Sequence, residues 1–345
     1  ALLAQEAENR GAVMAAGFTL SDIERSSATR DARIRLVLKK ETDASTTDLS
    51  CEWLIDASGA AGVIAKLENA PERRFRTQTC GRAIHLRGIP RWSDELDPFD
   101  GDASAQHHLL GDQGWMWMLR MSDDCTSVGI VGRGDQQPRV NDFPSIARML
   151  RDAVPHPLSP GWSPVRQIQR RFEFSHHRRV IQLPASIATL DPMHSTGIAH
   201  SLFGVGRAAE VILDRGSVIE YRKRNDQELN HLDRLVDLAY QSMPDFDRFC
   251  SAVMLYLTTA IRNEERLTET VSEMDHQPVC LLGQGWDGSD DEVFSAALAD
   301  SVDLVSNSTI SSGDLRDALA QRLAAWNVAG FWSRADRRYR YSATK

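Results

Sequence analysis

A chain of 345 residues, 42% hydrophobic and 26% charged, has the composition of an ordinary globular protein with enough apolar side chains for a real core. Its formal net charge of −8 disfavours a nucleic-acid partner, because phosphate binding requires a concentrated basic face. Five scattered cysteines, Cys51, Cys80, Cys125, Cys250 and Cys280, form no C-x-x-C pair, which argues against a disulfide framework or zinc site. No apolar run reaches the ~18 residues of a bilayer span, so the chain reads as cytoplasmic.

Leu2, Leu3, Ala7 and Ala12 share a helical face with Gly11 as its stop signal. A chain opening on Ala1 within a helix is expected to lack an upstream segment. Ile34, Leu36 and Leu38 alternate before a polar turn over 41–48, and Leu49, Cys51, Trp53 and Ile55 alternate after it, which predicts a β-hairpin. Its second arm runs into Asp56-Ala57-Ser58-Gly59-Ala60-Ala61-Gly62, a turn of small residues before a short helix over 63–67. Between residues 75 and 180, short strand patterns at 83–86, 115–121, 127–131 and 167–174 alternate with turns, and one helix is predicted over 143–153. This is the pattern of a mostly antiparallel sheet inserted into an α/β scaffold. Beyond Asp191 helices are predicted over 196–214, 219–241 and 245–266, the last with Phe246, Phe249, Val253, Leu257 and Ile261 on its apolar face.

The chemistry concentrates between Leu183 and Ser201. Asp191-Pro192 breaks the chain, Ser195 or Thr196 can cap the following helix, and Gly197 keeps its first turn bare. Such an amino end offers free N–H groups and a partial positive charge to an anion or to the electron-rich oxygen of a reduced heterocycle. A well-capped structural helix is the ordinary reading of the same pattern. Gly204-Val205-Gly206-Arg207-Ala208-Ala209 fits a dinucleotide fingerprint in letters only, since no strand precedes it. The pairs His107-His108 and His176-His177 point to opposite strand faces and cannot chelate one metal from a strand. His194 is the candidate catalytic residue, able to donate or accept a proton near neutrality; a capping or solvent-facing role is the alternative.

Asp191-Pro192-x-x-Ser195-Thr196-Gly197 resembles the flavin-contacting segment of the flavin-dependent halogenases, which are similar in fold to the p-hydroxybenzoate hydroxylase-type monooxygenases. Asp56-Ala57-Ser58-Gly59 resembles the strand-end segment of the same family. Gly114-Trp115-Met116-Trp117-Met118-Leu119-Arg120, followed by Thr126-Ser127-Val128-Gly129, resembles its paired-tryptophan strand and the strand after it. The resemblance implies an α/β (α+β) architecture: an FAD-binding α/β scaffold without its first βαβ unit over 1–70, an antiparallel substrate-domain sheet over 71–180, a return to the FAD domain over 181–215 and a helical C-terminal region over 216–345. It implies that Asp191, Pro192, Ser195, Thr196, Gly197 and Ile198 contact FAD at the flavin edge, that Asp56, Ala57, Ser58 and Gly59 line the dinucleotide side, and that Trp115 and Trp117 line the substrate cavity. The implied reaction oxidises a small organic substrate with reduced FAD and O2, with a separate flavin reductase as partner.

Departures from the family pattern narrow this. His194 stands where tryptophan halogenases carry a glutamate, which disfavours tryptophan as substrate. Pro184-Ala185 replaces a Gly-Asp pair that contacts the cofactor, and Arg120 replaces a proline. No G-x-G-x-x-G turn after a strand opens the chain. A flavin dehydrogenase or reductase on the same scaffold, and a non-catalytic fragment unable to hold FAD, are the competing readings.

Overall fold

Alternating side chains in the first fifty residues fold as a three-stranded antiparallel sheet in the computed structural model, which describes residues 2–24, 33–90, 105–135, 137–273, 285, 288 and 291–332. Cys280 and the segment 333–345 lie outside the described residues. Helix α1 (Leu2–Asn9) buries none of its side chains. Strands β1 (Phe18–Glu24), β2 (Ile34–Lys40) and β3 (Thr46–Cys51) follow in that order in the sheet. Ile34 and Leu36 turn inward from β2 to join Ile64 and Val180 in a small core.

The predicted hairpin is present, but its second arm ends at Cys51. Trp53 and Ile55 do not extend it, because β4 (Leu54–Asp56) leaves the sheet and pairs in parallel with β13 (Val180–Gln182). The Leu54 amide donates to the Arg179 carbonyl at 2.9 Å, and the Arg179 guanidinium lies 5.0 Å from the Trp53 ring. Alternation marks a strand's faces without naming its partner, so the switch of sheets is silent in the sequence. Helix α2 (Val63–Leu67) follows the loop after β4.

The second sheet contains β6 (Thr79–Arg87), β7 (Ala105–Leu110), β8 (Gly114–Ser122), β9 (Cys125–Arg133), β10 (Val154–Pro155) and β11 (Arg166–Gln167). Its order is β10-β6-β9-β8-β7, with β11 also on β6. Helix α3 (Pro144–Leu150), shorter than predicted, covers one face, where Met116 and Met118 meet Ile84, Val128 and Ile130. Trp115 and Trp117 point to the opposite face. There a Cβ on Gly129, cross-strand from Trp117, would lie 1.9 Å from the indole. The bare glycine is what lets that ring lie across the sheet. The strand predicted over 167–174 is split: β11 pairs with β6, whereas β12 (Arg170–Phe172) joins β5 (Glu72–Arg73) and β14 (Ala188–Thr189) in a separate small sheet.

From residue 184 the chain is mostly helical: α4 (Pro184–Ile187), α5 (Gly197–Ile212), α6 (Val218–Ser242), α7 (Phe246–Glu273), α8 (Glu292–Ser306) and α9 (Ser312–Arg322). A Ser217/Glu220 capping box starts α6. The face predicted for α7 holds in part: Ile261 is buried and Phe249 packs on the core. Phe246 and Leu257 are exposed, while Ala252, Leu255, Thr258 and Thr259 are buried. Thr258 and Thr259 return their hydroxyls to the Met254 and Leu255 carbonyls at 2.9 and 3.1 Å, so they enter a core without an unpaired polar atom. The glycine-rich run at 204–209 lies inside α5. A Cβ on Gly204 would come within 2.2 Å of the Pro184 ring, so this glycine serves helix packing. Among the described residues no helix is long and apolar enough to cross a membrane.

Candidate functional site

Asp191 builds the turn that opens α5. It caps a 3-10 turn, Pro192–His194, accepting from the Met193 amide at 2.9 Å, and Pro192 occupies the position where a missing N–H costs nothing. Ser195 then adopts left-handed backbone with φ 55° and turns the chain into the helix. Neither Ser195 nor Thr196 caps it, contrary to the sequence-based expectation: α5 has no side-chain cap, and the Thr196 hydroxyl donates to Tyr256 Oη at 3.3 Å. Ser195, Gly197 and Ile198 are exposed, and a Cβ on Gly197 would meet nothing within 4 Å. The result is a helix amino end with partial positive charge, no side-chain cap on its amides and an exposed, unobstructed Gly197.

The Asp56 loop is built differently. Asp56 is buried, and its two oxygens accept from the Ser58 amide (2.9 Å) and the Ile64 amide (3.1 Å). Ser58 Oγ accepts from the Val63 amide at 2.9 Å. Ser186 Oγ donates to the Asp56 carbonyl (2.9 Å) and accepts from the Gly59 amide (3.1 Å). Arg170, stacked 4.7 Å from the Phe172 ring, donates to the Ala60 carbonyl. The polar side chains of this loop hold the loop itself, and Ala57, Ala60 and Ala61 are its exposed positions.

Helix α4 brings the two segments together. Ser186 reaches the Asp56 loop while Pro184 packs on Gly204, seven residues and therefore about 10 Å along α5 from Gly197. Pro184-Ala185 thus supplies packing where the family's Gly-Asp pair supplies a carboxylate. Behind α5, Glu228 of α6 is bound by Arg207 (2.9 Å to Nη1) and His200 (3.0 Å), all three buried. Burial alone would push the Glu228 carboxyl up, yet the hydrogen bonds from Arg207 and His200 hold it at about 2. The Arg207–Glu228 ion pair, with His200 bonded to the same carboxylate, ties α5 to α6.

His194 is buried rather than solvent-facing, with its ring stacked on Tyr256 at 4.2 Å and 9°. Its Nε2 has no hydrogen-bond partner among the described residues. Burial, opposed by a main-chain hydrogen bond to Leu235, brings its pKa down to about 4, so the ring is neutral at physiological pH. His107 on β7 acts electrostatically on His194 and lies tilted at 45°, its ring 4.8 Å from that of Trp115. Burial lowers the pKa of His107 as well. Trp115 is 2% exposed and donates through Nε1 to Tyr240 Oη at 2.9 Å. Trp117, half-buried, lies 5.7 Å from it.

The Asp191 carboxyl faces inward and contacts Thr79, Gln169 and Tyr240, so any contact of this residue with a ligand falls to its main chain. His107, Tyr240, Tyr256, Thr79 and Gln169 were not legible as site residues, since each comes from a remote element and carries no local motif. Among the described residues no group of three His, Cys, Asp or Glu side chains could hold a metal ion.

The family model for tryptophan halogenases matches residues 1–268. No curated protein sequence matches the chain. Among solved structures, halogenase PltM in complex with phloroglucinol and FAD is similar with a TM-score of 0.73 at 17% identity, covering 93% of this chain and 71% of that one. The flavin-dependent brominase Bmp2 gives 0.60 at 16% identity, covering 87% and 73%. A flavoprotein/dehydrogenase from Cytophaga hutchinsonii gives 0.58 at 15%, covering 88% and 73%. At these identities the structural likeness shows the fold.

Proposed function

Because the chain belongs to the tryptophan halogenase family, we propose that it is a flavin-dependent oxidoreductase of halogenase type, acting with FAD on a small organic substrate. The observation that carries this is the uncapped amino end of α5, with Gly197 bare and exposed, on a helix tied through α4 to the Asp56 loop. The residues present fit the flavin end of the cofactor. Thr196, Gly197 and Ile198 would present amides to the pyrimidine edge, and the exposed backbone at Ala57 would face the dinucleotide side. The exposed apolar positions Ile198, Leu202 and Val205 run along one side of α5.

Bound reduced FAD, with O2, would supply the oxidising chemistry, and a separate reductase would supply the reduced flavin in the cytoplasm. The protein's own residues bind, orient and handle protons. Trp115 and Trp117 form an aromatic wall, and Gly129 fixes how flat the second ring lies. His194 Nε2, neutral and unpartnered, would accept a hydrogen bond from a substrate hydroxyl. A neutral His194 suits an uncharged aromatic substrate better than a zwitterionic amino acid. A flavin dehydrogenase is the second reading, favoured by the fold shared with the flavoprotein/dehydrogenase; flavin reduction without halogen or oxygen in the product mass would establish it instead.

Gly197→Asp is the decisive variant. Nothing within 4 Å obstructs the new side chain, and a carboxylate in the first turn stabilises a helix by about 0.5 kcal/mol. The melting temperature is therefore expected to hold or rise. Titration with FAD, followed by flavin fluorescence, is expected to show binding by the wild type and at least tenfold weaker binding by the variant, about 1.4 kcal/mol. Equal affinity of the two proteins, or no binding by the wild type, would remove the flavin reading.

A further inference from the structure

We propose that Asp191 carries a proton at neutral pH and serves as a positioning residue, an uncharged hub that ties the turn before α5 to the large sheet and to α6. Three oxygen–oxygen contacts meet around its carboxyl group. Thr79 Oγ1 lies 2.6 Å from Asp191 Oδ2 and 2.7 Å from Gln169 Oε1, and Tyr240 Oη lies 3.1 Å from Asp191 Oδ2. Each contact needs one hydrogen between its two oxygens, and the hydroxyls of Thr79 and Tyr240 supply only two.

The neighbours leave no freedom to find the third hydrogen elsewhere. The Thr79 amide donates to Gln169 Oε1 at 2.8 Å, which fixes that atom as the amide oxygen rather than nitrogen. Trp115 Nε1, a donor only, occupies Tyr240 Oη as an acceptor and leaves the phenol hydrogen for Asp191. The missing hydrogen therefore belongs on Asp191 Oδ2. It donates to Thr79 Oγ1, Thr79 donates to Gln169 Oε1, and Oδ2 accepts from Tyr240 Oη and from Gln169 Nε2 at 3.1 Å. Every polar atom of the group is then satisfied, and Oδ1 keeps the Met193 amide.

Ionised, the same arrangement would hold two oxygens at 2.6 or 2.7 Å with no hydrogen between them, in a site where Asp191 is only 3% exposed. Among the described residues no counter-charge bonds to it. Arg171 on β12 is held by Asp226 and Asn230, Asp233 on α6 by the Arg76 amide, and Asp237 by Thr77. His194 in the same turn is uncharged. Burial pushes the Asp191 carboxyl above its ordinary range and outweighs the opposing effect of its partners Thr79, the Met193 amide and Tyr240. An uncharged Asp191 also leaves the amino end of α5 without a negative neighbour, free to face an electron-rich ligand. That consequence rests on the flavin reading, whereas the protonation does not.

Infrared spectroscopy of the whole chain in D2O at neutral pH tests it. The wild type is expected to show the carbonyl stretch of a protonated carboxylic acid. Asp191→Asn, isosteric with the neutral acid, is expected to lose that band, and Tyr240→Phe, which removes one donor, to shift it. Stability measured against pH gives a second readout. The folded carboxyl keeps its proton above the pH at which the unfolded chain releases it, near 4. Its contribution is thus complete below about pH 4 and declines as pH rises toward the folded value, whereas the Asn variant lacks that slope. Absence of the band in the wild type, or a band untouched by both substitutions, overturns the proposal. So does a stability difference between wild type and Asp191→Asn that is constant with pH. A wild type with the band but no affinity for FAD would sink the flavin reading and leave this one standing.

Discussion

The Asp56 loop and the amino end of α5 are both small-residue turns that start helices, yet they treat their polar groups in opposite ways. In the loop, Asp56, Ser58 and Ser186 take up the amides of Ser58, Ile64, Val63 and Gly59. At α5 the acid that could have capped the helix caps the preceding 3-10 turn instead, and Thr196 turns its hydroxyl to Tyr256. A loop whose donors are matched internally is a rigid support, and a helix end whose donors are unmatched is where a ligand gains most. Substitutions in the first should therefore register as stability, and those in the second as binding, as Gly197→Asp is designed to show.

Asp56→Ala is the largest test of that division. It removes a buried acceptor from two amides at once, and losing hydrogen bonds to a charged group at such a site costs about 3 kcal/mol. Chemical denaturation should show that loss as a lower midpoint. If the variant instead keeps its stability and loses FAD, the loop is itself a ligand site and the contrast fails. Ser186→Ala is expected to cost about 2 kcal/mol, because Ser186 is fully buried and joins the Asp56 carbonyl to the Gly59 amide. Since Ser186 sits on α4, that loss should also loosen the approach of the loop to α5, visible as faster amide exchange in residues 59–64.

How far these sites could be read in advance follows from where their parts come from. The strand ends, the Asp191-Pro192 break and the bare Gly197 are contiguous in sequence, and their turn chemistry is local. The Trp115/Trp117 pair was legible as one strand face, but not that Trp115 is a buried donor to Tyr240, 125 residues away. Period-2 alternation carried the hairpin past its true end because Trp53 and Ile55 keep the pattern while changing partner. Part of the buried face of α7 escaped because Thr258 and Thr259 count as polar in any periodicity, although each silences its hydroxyl on its own helix. His194 stood out by position, while its burial against Tyr256 depends on α7 and has no local sign.

Ser58→Ala is the smallest of the expected effects and the most discriminating for the loop. Its hydroxyl accepts from the Val63 amide five residues on, as a capping side chain does for the first turn of α2. Removing such a cap costs about 1 kcal/mol, and Ser58 is only half-buried, so water can replace part of what is lost. The backbone of Ala57 and Gly59 stays where Asp56 and Ser186 hold it. FAD titration of the variant should then match the wild type within a factor of two or so, about 0.4 kcal/mol, while the melting temperature falls. A Ser58 that contacts the cofactor directly would reverse the pattern, weakening FAD without the matching loss of stability, and the loop would have to be counted with the open end of α5.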